Sequence, residues 1–296
     1  MTPSKSVVGF GELLWDMLPT GKVAGGAPMN VAYHAKQFGM EAQMISAVGN
    51  DDLGKALITF LQQKGIPTNL VHTNYTFGTS TVQVTLNEKG SASYEIVAPV
   101  AWDFLFADES RNKAVIQADY LLFGSLICRS EANLKTLLHL ADQAQTVVFD
   151  VNLRPPFYSQ ALIEPLLQKA DIVKMNEEEL AIILNWYGIK GDLNNQMASI
   201  MEKFELETLV MTQGKHGAFC MHDGVLYAQK SFPVTVKDTV GSGDSFLAAF
   251  IYKMSIGANW QDCLEFACAT GAFVATQSGG TPAINENIVL NFIPKK

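Results

Sequence analysis

The stretch DTVGSGDSFLAAF, Asp238 to Phe250, holds residue types that suit phosphate chemistry. Gly241, Ser242 and Gly243 make a small-residue turn, and Ser245 to Tyr252 follows without a helix breaker. That pattern predicts a loop passing into a helix N-terminus. The first amides of a helix have no intrahelical partner and the macrodipole is positive there, so a phosphate, or charge developing on one, is stabilised. Asp244 stands out in such a place. A carboxylate repels a bound anion unless it serves to take a proton from a hydroxyl attacking the phosphorus. The GSGD tetrapeptide alone also fits an ordinary N-cap with an acid in the first turn.

Other candidates sit elsewhere in the chain. Asp16 follows a short apolar run, and Gly25 and Gly26 precede Pro28 and Asn30 at a predicted helix start, with Gly39 marking its end. A double glycine lets a ligand approach the backbone, and Asp16 and Asn30 can accept and donate hydrogen bonds to a polyol; a tight turn with a surface Asp and Asn is the other reading. Asp150, Asn152 and Arg154 alternate, so they share a face if the strand stays extended, with Arg154 able to hold phosphate oxygens. Asn176 and Glu179 lie three apart at a helix start, where they either organise water around magnesium or simply cap the helix. Thr212, Gly214 and Gly217 form a turn that could let a nucleotide approach the backbone.

Two tempting motifs fail on chemistry. Gly9-Phe10-Gly11 invites a dinucleotide fold, but the third glycine position is Leu14, and Trp15, Asp16 and Pro19 follow. GNDDLGKA resembles a phosphate loop, yet Ala56 follows Lys55 where a metal-binding hydroxyl is needed, and Asp51 and Asp52 put carboxylates where phosphates would sit. It reads as the start of a helix.

The elements that must position these residues alternate. Strands are predicted at Ser6 to Phe10, Gln43 to Val48, Tyr120 to Phe123, Thr146 to Asp150, Ile172 to Met175 and Thr208 to Thr212, with helices between. A mostly parallel, helix-flanked α/β sheet follows, with ligands at the carboxyl ends of its strands. Between Thr79 and Val97 the period changes to two, predicting a β-hairpin that turns at Asn87 to Gly90. The expectation is one domain over residues 1–296, with a small β lid from about 12–24 and 68–104.

With 296 residues, 48% of them hydrophobic, the chain can bury a large core. A net charge of −8 argues against nucleic acid or an anionic membrane as partner. No signal-peptide pattern or membrane-length apolar run is evident, which predicts a cytoplasmic protein. Cys128, Cys220, Cys263 and Cys268 lack metal-ligand spacing and fit buried thiols.

Along essentially its whole length the chain resembles the PfkB (ribokinase-like) carbohydrate kinases. GGAPMNVAYHAKQFG, Gly25 to Gly39, resembles the family's amino-terminal signature and DTVGSGDSFLAAF its carboxy-terminal one; Asn176 and Glu179 match its NxxE pattern. The resemblance implies ATP as donor with Mg2+, Asp244 as catalytic base, Gly241 to Gly243 as anion hole, and Asp16, Gly26 and Asn30 on the sugar. It implies a homodimer formed through the lid. A monovalent-cation loop, suited to K+, is implied at Asp238 and Val240 on one side and Ala275, Ser278 and Gly280 on the other, mostly through carbonyls. Cys268 stands where many relatives carry an asparagine near the adenine. GELLWDMLPTGKVAGGAPMN and YEIVAPVAWD look most like bacterial fructokinases, implying conversion of D-fructose to fructose 6-phosphate. Ribokinase, 2-keto-3-deoxygluconate kinase and a non-catalytic sugar sensor are the alternatives.

Overall fold

The computed structural model describes residues 4–18, 21–86 and 92–294. In chain order the strands are β1 (Ser6–Phe10), β2 (Leu14–Leu18), β3 (Gly21–Gly25), β4 (Glu41–Gly49), β5 (Val71–Asn74), β6 (Ser80–Leu86), β7 (Ala92–Ile96), β8 (Tyr120–Gly124), β9 (Val147–Asp150), β10 (Ile172–Asn176), β11 (Thr208–Thr212), β12 (Ala218–His222) and β13 (Val225–Gln229). The helices are α1 (Ala27–Gln37), α2 (Asp52–Gln63), α3 (Glu109–Gln117), α4 (Glu131–Ala141), α5 (Gln160–Lys169), α6 (Glu177–Tyr187), α7 (Leu193–Phe204), α8 (Ser242–Ser255), α9 (Trp260–Ala275) and α10 (Glu286–Phe292).

Nine strands form the main sheet in the order β13-β12-β11-β10-β9-β8-β1-β4-β5. From β5 to β11 every pairing is parallel, and β12 and β13 add an antiparallel edge. The chain runs outward from β1 through β4 to β5, then crosses to β8 and runs outward the other way. The strand order therefore reverses at β1, and in such sheets ligands bind outside the carboxyl ends at that point. Strands β8 and β9 are wholly buried, which suits their apolar runs YLLFG and VVFD.

A second sheet of four strands, ordered β3-β2-β6-β7, stands apart. Asp16 lies within it on β2, opposite Val23 and beside Val82. The predicted hairpin pairs Val82 with Ile96, while its turn at 87–90 falls outside the described residues. β5, inside the 68–104 stretch, pairs with β4 in the main sheet, and Trp102 is fully buried in the large core beneath that sheet.

The phosphate-loop look-alike is a helix cap. Asp51 accepts a hydrogen bond from the Gly54 amide at 2.7 Å and opens α2. One expectation is corrected here: Asp150, Asn152 and Arg154 do not share a strand face. β9 ends at Asp150, and Asn152 takes φ 37°, so the extended alternation stops before Arg154.

Helices α1 and α8 pack against each other over one face of the sheet, and α9 packs on α8. Met29, Val31, Ala32 and Tyr33 on α1 and Leu247, Ala248, Ala249, Phe250 and Ile251 on α8 are each at most 1% exposed. Each large side chain among them contributes about 1.5–3 kcal/mol. The first turns of both helices are thereby held at a fixed spacing.

Candidate active site

Two stretches 214 residues apart in sequence meet at one hydrogen bond. Asn30, in the first turn of α1, donates from Nδ2 to Asp244 Oδ2 at 2.8 Å. Asn30 Oδ1 is buried without a partner, an acceptor waiting for a hydroxyl or amide. Burial, then the nearby Asp150 carboxylate, pushes Asp244 up to about 6, against the lowering effects of Asn30, Lys174 and Arg154. A carboxylate with that value is ionised at neutral pH and is a competent base.

The turn before Asp244 is shaped by backbone contacts. Gly241 caps α8 with φ 73°, and a methyl carbon on it would lie 2.4 Å from Gly280 O, so glycine is required twice over. Gly243 and Asp244 fall in the first turn of this 14-residue helix, where no carbonyl one turn earlier is available to their amides. Ser242 Oγ is buried without a partner in the same turn.

Lys174, absent from the sequence-derived candidates, lies directly beneath. Its Nζ is 3.2 Å from where a Cβ on Gly243 would be, and it donates to both oxygens of Asp150 at 2.9 and 3.0 Å. Although burial alone would lower it, Asp150, Glu179 and Asp244 hold the ammonium above its ordinary value. A lysine ammonium therefore sits under the turn expected to bind an anion. The signal was visible as a lone lysine in the apolar run Ile172, Val173, Met175.

Asn176 and Glu179 form a reciprocal capping box. Asn176 Oδ1 accepts from the Glu179 amide at 2.9 Å, and Glu179 Oε2 accepts from the Asn176 amide at 2.8 Å. Glu179 Oε1 accepts from the Leu153 amide at 2.9 Å, which ties the β9 loop to α6. Burial pushes this carboxyl up, opposed by Lys174. Among the described residues no group of three His, Cys, Asp or Glu could grip a metal directly. The set still fits Mg2+ brought in on phosphates, because that ion keeps waters and needs few carboxylates.

On the opposite side, Asp16 is pushed up to about 6, first by burial and then by Asp244 and Asp238, with Arg154 lowering it. Arg154 is exposed, yet its charge acts on Glu12, Asp16 and Asp244 alike. The glycine pair serves the protein's own atoms: a methyl on Gly25 would lie 2.5 Å from Asp16 Oδ2, and one on Gly26, at φ 117°, 2.1 Å from Glu12 O. Sequence reasoning passed over Glu12, which is 3% exposed; its Oε1 accepts from the Ala27 amide at 3.1 Å and its Oε2 has no partner.

The β11 turn divides in two. Gly214, at φ 52°, has open space around it, whereas a methyl on Gly217 would lie 1.9 Å from Gln229 O. Gly214 leaves room for a ligand, and Gly217 is fixed by the neighbouring strand. Cys268 is 6% exposed on α9, and burial pushes its thiol up to about 12.

In the expected monovalent-cation loop, protein N–H groups already reach oxygens of Ala275, Asp238 and Gly280. Ala275 O accepts from the Lys237 and Asp238 amides at 2.8 and 3.2 Å, and the Asp238 carboxylate accepts from Val240 and Gly279, each at 3.0 Å. Gly280 O, wedged against Gly241, takes the Nε2 proton of His34 at 2.9 Å. His34 is fully buried and held neutral, pushed down to about 4 by that burial.

The chain resembles known proteins over nearly its whole length. A family model described as pfkB family carbohydrate kinase matches residues 5–287. Fructokinase of Salmonella typhimurium is 28% identical over 303 residues, covering 95% of this chain and 97% of that protein. Fructokinase from Xylella fastidiosa, solved with bound ATP, superimposes with a TM-score of 0.86 at 24% identity, covering 98% of each chain. A double mutant of fructokinase from Vibrio cholerae O395, in a fructose, ADP and potassium ion bound form, gives 0.84 at 23% identity, covering 99% of this chain and all of that one. The mostly parallel sheet with its small separate sheet is the ribokinase-like fold.

Proposed function

The chain belongs to the pfkB family of carbohydrate kinases, enzymes that transfer phosphate to an alcohol group, and from that premise we propose that it uses ATP to phosphorylate D-fructose, giving fructose 6-phosphate. The observation that carries this reading is the 2.8 Å bond from Asn30 to Asp244, which joins the sugar-side helix to the acid at the anion-binding turn.

Asp244 Oδ2 is occupied by Asn30, leaving Oδ1 to take the proton of the attacking hydroxyl. The sugar oxygen forms its bond to the γ-phosphorus as the bond to the ADP oxygen breaks. Within the Gly241–Gly243 turn the Ser242 amide is given to Thr239 O at 3.2 Å, so the Gly243 amide, with that of Asp244, faces the charge that develops, and Lys174 adds a fixed cation below them. Mg2+, when bound with the nucleotide, neutralises phosphate charge. Glu179, with two lone-pair directions left after its backbone bonds, would orient a water toward it, and Asn176 holds Glu179 in place. Asp16, Asn30 and the Gly25–Gly26 backbone face the sugar, Arg154 closes the same side, and Thr212 and Gly214 border the nucleotide.

The four-stranded sheet is assigned as a lid over the sugar and as the surface that pairs two copies. Cytoplasmic ATP is assigned as the donor pool; among the described residues no helix is long and apolar enough to cross a membrane.

The test is ADP release across fructose, ribose, glucose, 2-keto-3-deoxygluconate and nucleosides. Fructose should give the highest kcat/KM. A tenfold preference for another acceptor, about 1.4 kcal/mol in transition-state binding, overturns the substrate.

A further inference from the structure

His34 is four residues beyond Asn30, so both project from one face of α1 toward α8. Asn30 holds the Asp244 carboxylate, and His34 holds the carbonyl of Gly280. That carbonyl packs on Gly241, the cap residue of the anion-binding turn. A methyl on Gly280 would lie 3.2 Å from Asn30 Nδ2, which makes Asn30, His34, Gly280 and Gly241 one contiguous group.

A cation that ordered this turn would draw on oxygens of Asp238, Val240, Ala275, Ser278 and Gly280. Those of Asp238, Ala275 and Gly280 already receive protein N–H groups, and two of those bonds tie the segments to each other directly: Asp238 N to Ala275 O, and Gly279 N to the Asp238 carboxylate. Ala275 O has both lone pairs engaged by the Lys237 and Asp238 amides. At Gly280 O the imidazole stands on one side and Gly241 on the other. The acceptor Nδ1 of His34 is buried without a partner, a penalty the fold tolerates to keep Nε2–H on that carbonyl.

We propose that His34 is a positioning residue that fixes the Gly280 loop, and through it the anion-binding turn, in place of a bound monovalent cation, so that phosphoryl transfer here requires no potassium. The kinetic part rests on the kinase reading above; the structural part does not. A fructokinase neighbour has been solved in a potassium ion bound form, so the same fold can hold the ion.

The ligand-free protein is melted in potassium chloride and in tetramethylammonium chloride at matched ionic strength, and rates are measured in both salts. Equal melting temperatures and equal kcat are expected, because nothing binds the folded state selectively. His34→Ala should lose about tenfold in kcat with the sugar KM held, the usual effect of one lost buried hydrogen bond. His34→Gln, whose amide can reach the same carbonyl, should keep most of the rate. Stabilisation of the wild type by potassium, a potassium-dependent rate, or a wild-type kcat in His34→Ala without potassium overturns the inference. If the alanine variant does not fold, the wild-type melts and the glutamine variant still decide. Absence of ADP release with every sugar defeats the kinase reading alone, and the melts then test His34 separately.

Discussion

Asp244→Asn should separate stability from catalysis in opposite directions. In the folded protein Asp244 is raised from 3.8 to about 6, chiefly by burial and by Asp150. Between about pH 4 and 6 the folded protein keeps a proton that the unfolded chain has released, so stability falls as pH rises through that window. Above it the ionised carboxylate carries a constant cost of about 3 kcal/mol, at about 1.36 kcal/mol per pH unit. Asp244 is only partly buried by surface area, so water reduces the figure and it is an upper bound. Asparagine cannot ionise and still offers an oxygen to Asn30. Its melting temperature should therefore exceed that of wild type near neutral pH by roughly 5 °C or less, and the gap should close toward about pH 4. Meanwhile kcat should drop about 10²–10⁴-fold, the contribution of a positioned base. Scanning calorimetry across pH, with ADP release on the same samples, reads both. Equal melting temperatures near neutral pH, or a gap that widens on acidification, would refute the electrostatic argument; a near-normal kcat would remove Asp244 as base.

Asn30→Ala should raise the sugar KM and also shift the acid limb of kcat/KM above about pH 6, because Asn30 lowers the Asp244 value. A changed KM with an unmoved limb would make Asn30 a sugar ligand only. The two β11-turn glycines should behave oppositely. Gly214→Ala meets open space and should cost about 1 kcal/mol for its left-handed backbone, with the larger effect on the KM for ATP. Gly217→Ala drives a methyl into Gln229 O and should cost about 3 kcal/mol of stability, read in urea unfolding. Comparable urea midpoints for the two variants would sink that distinction.

Periodicity exposed the parallel strands and flanking helices because β8 to β11 are continuous apolar runs and α1 ends at a glycine. It did not resolve β2 and β3 as separate strands within the expected 12–24 part of the lid, since LWDML and GKVAG lack alternation, and it missed the antiparallel edge made by β12 and β13. The Asn152 left-handed backbone was equally invisible, since a non-glycine residue at positive φ leaves little trace in sequence. Candidate residues whose chemistry is local could be read directly: Asn176 and Glu179 satisfy each other within one turn. Residues that act across the fold could not. Lys174 is, in the sequence, no more than a lone lysine in an apolar run and acquires its role only where β10 brings it under Gly243, and His34 only where Gly280 reaches it.

The same distinction explains why the two family signatures lie at opposite ends of the chain. In the proposed mechanism the base, 2.8 Å from Asn30 of α1, has to be delivered by a separate element, because one segment cannot both grip the acceptor and present a helix N-terminus to the donor phosphate. The α1–α8 interface solves this with rigid apolar packing behind the first turns, so Asn30 and Asp244 meet without a loop between them. Loosening that packing should therefore damage the chemistry before it unfolds the chain, since a small misplacement of reacting groups costs far more rate than stability.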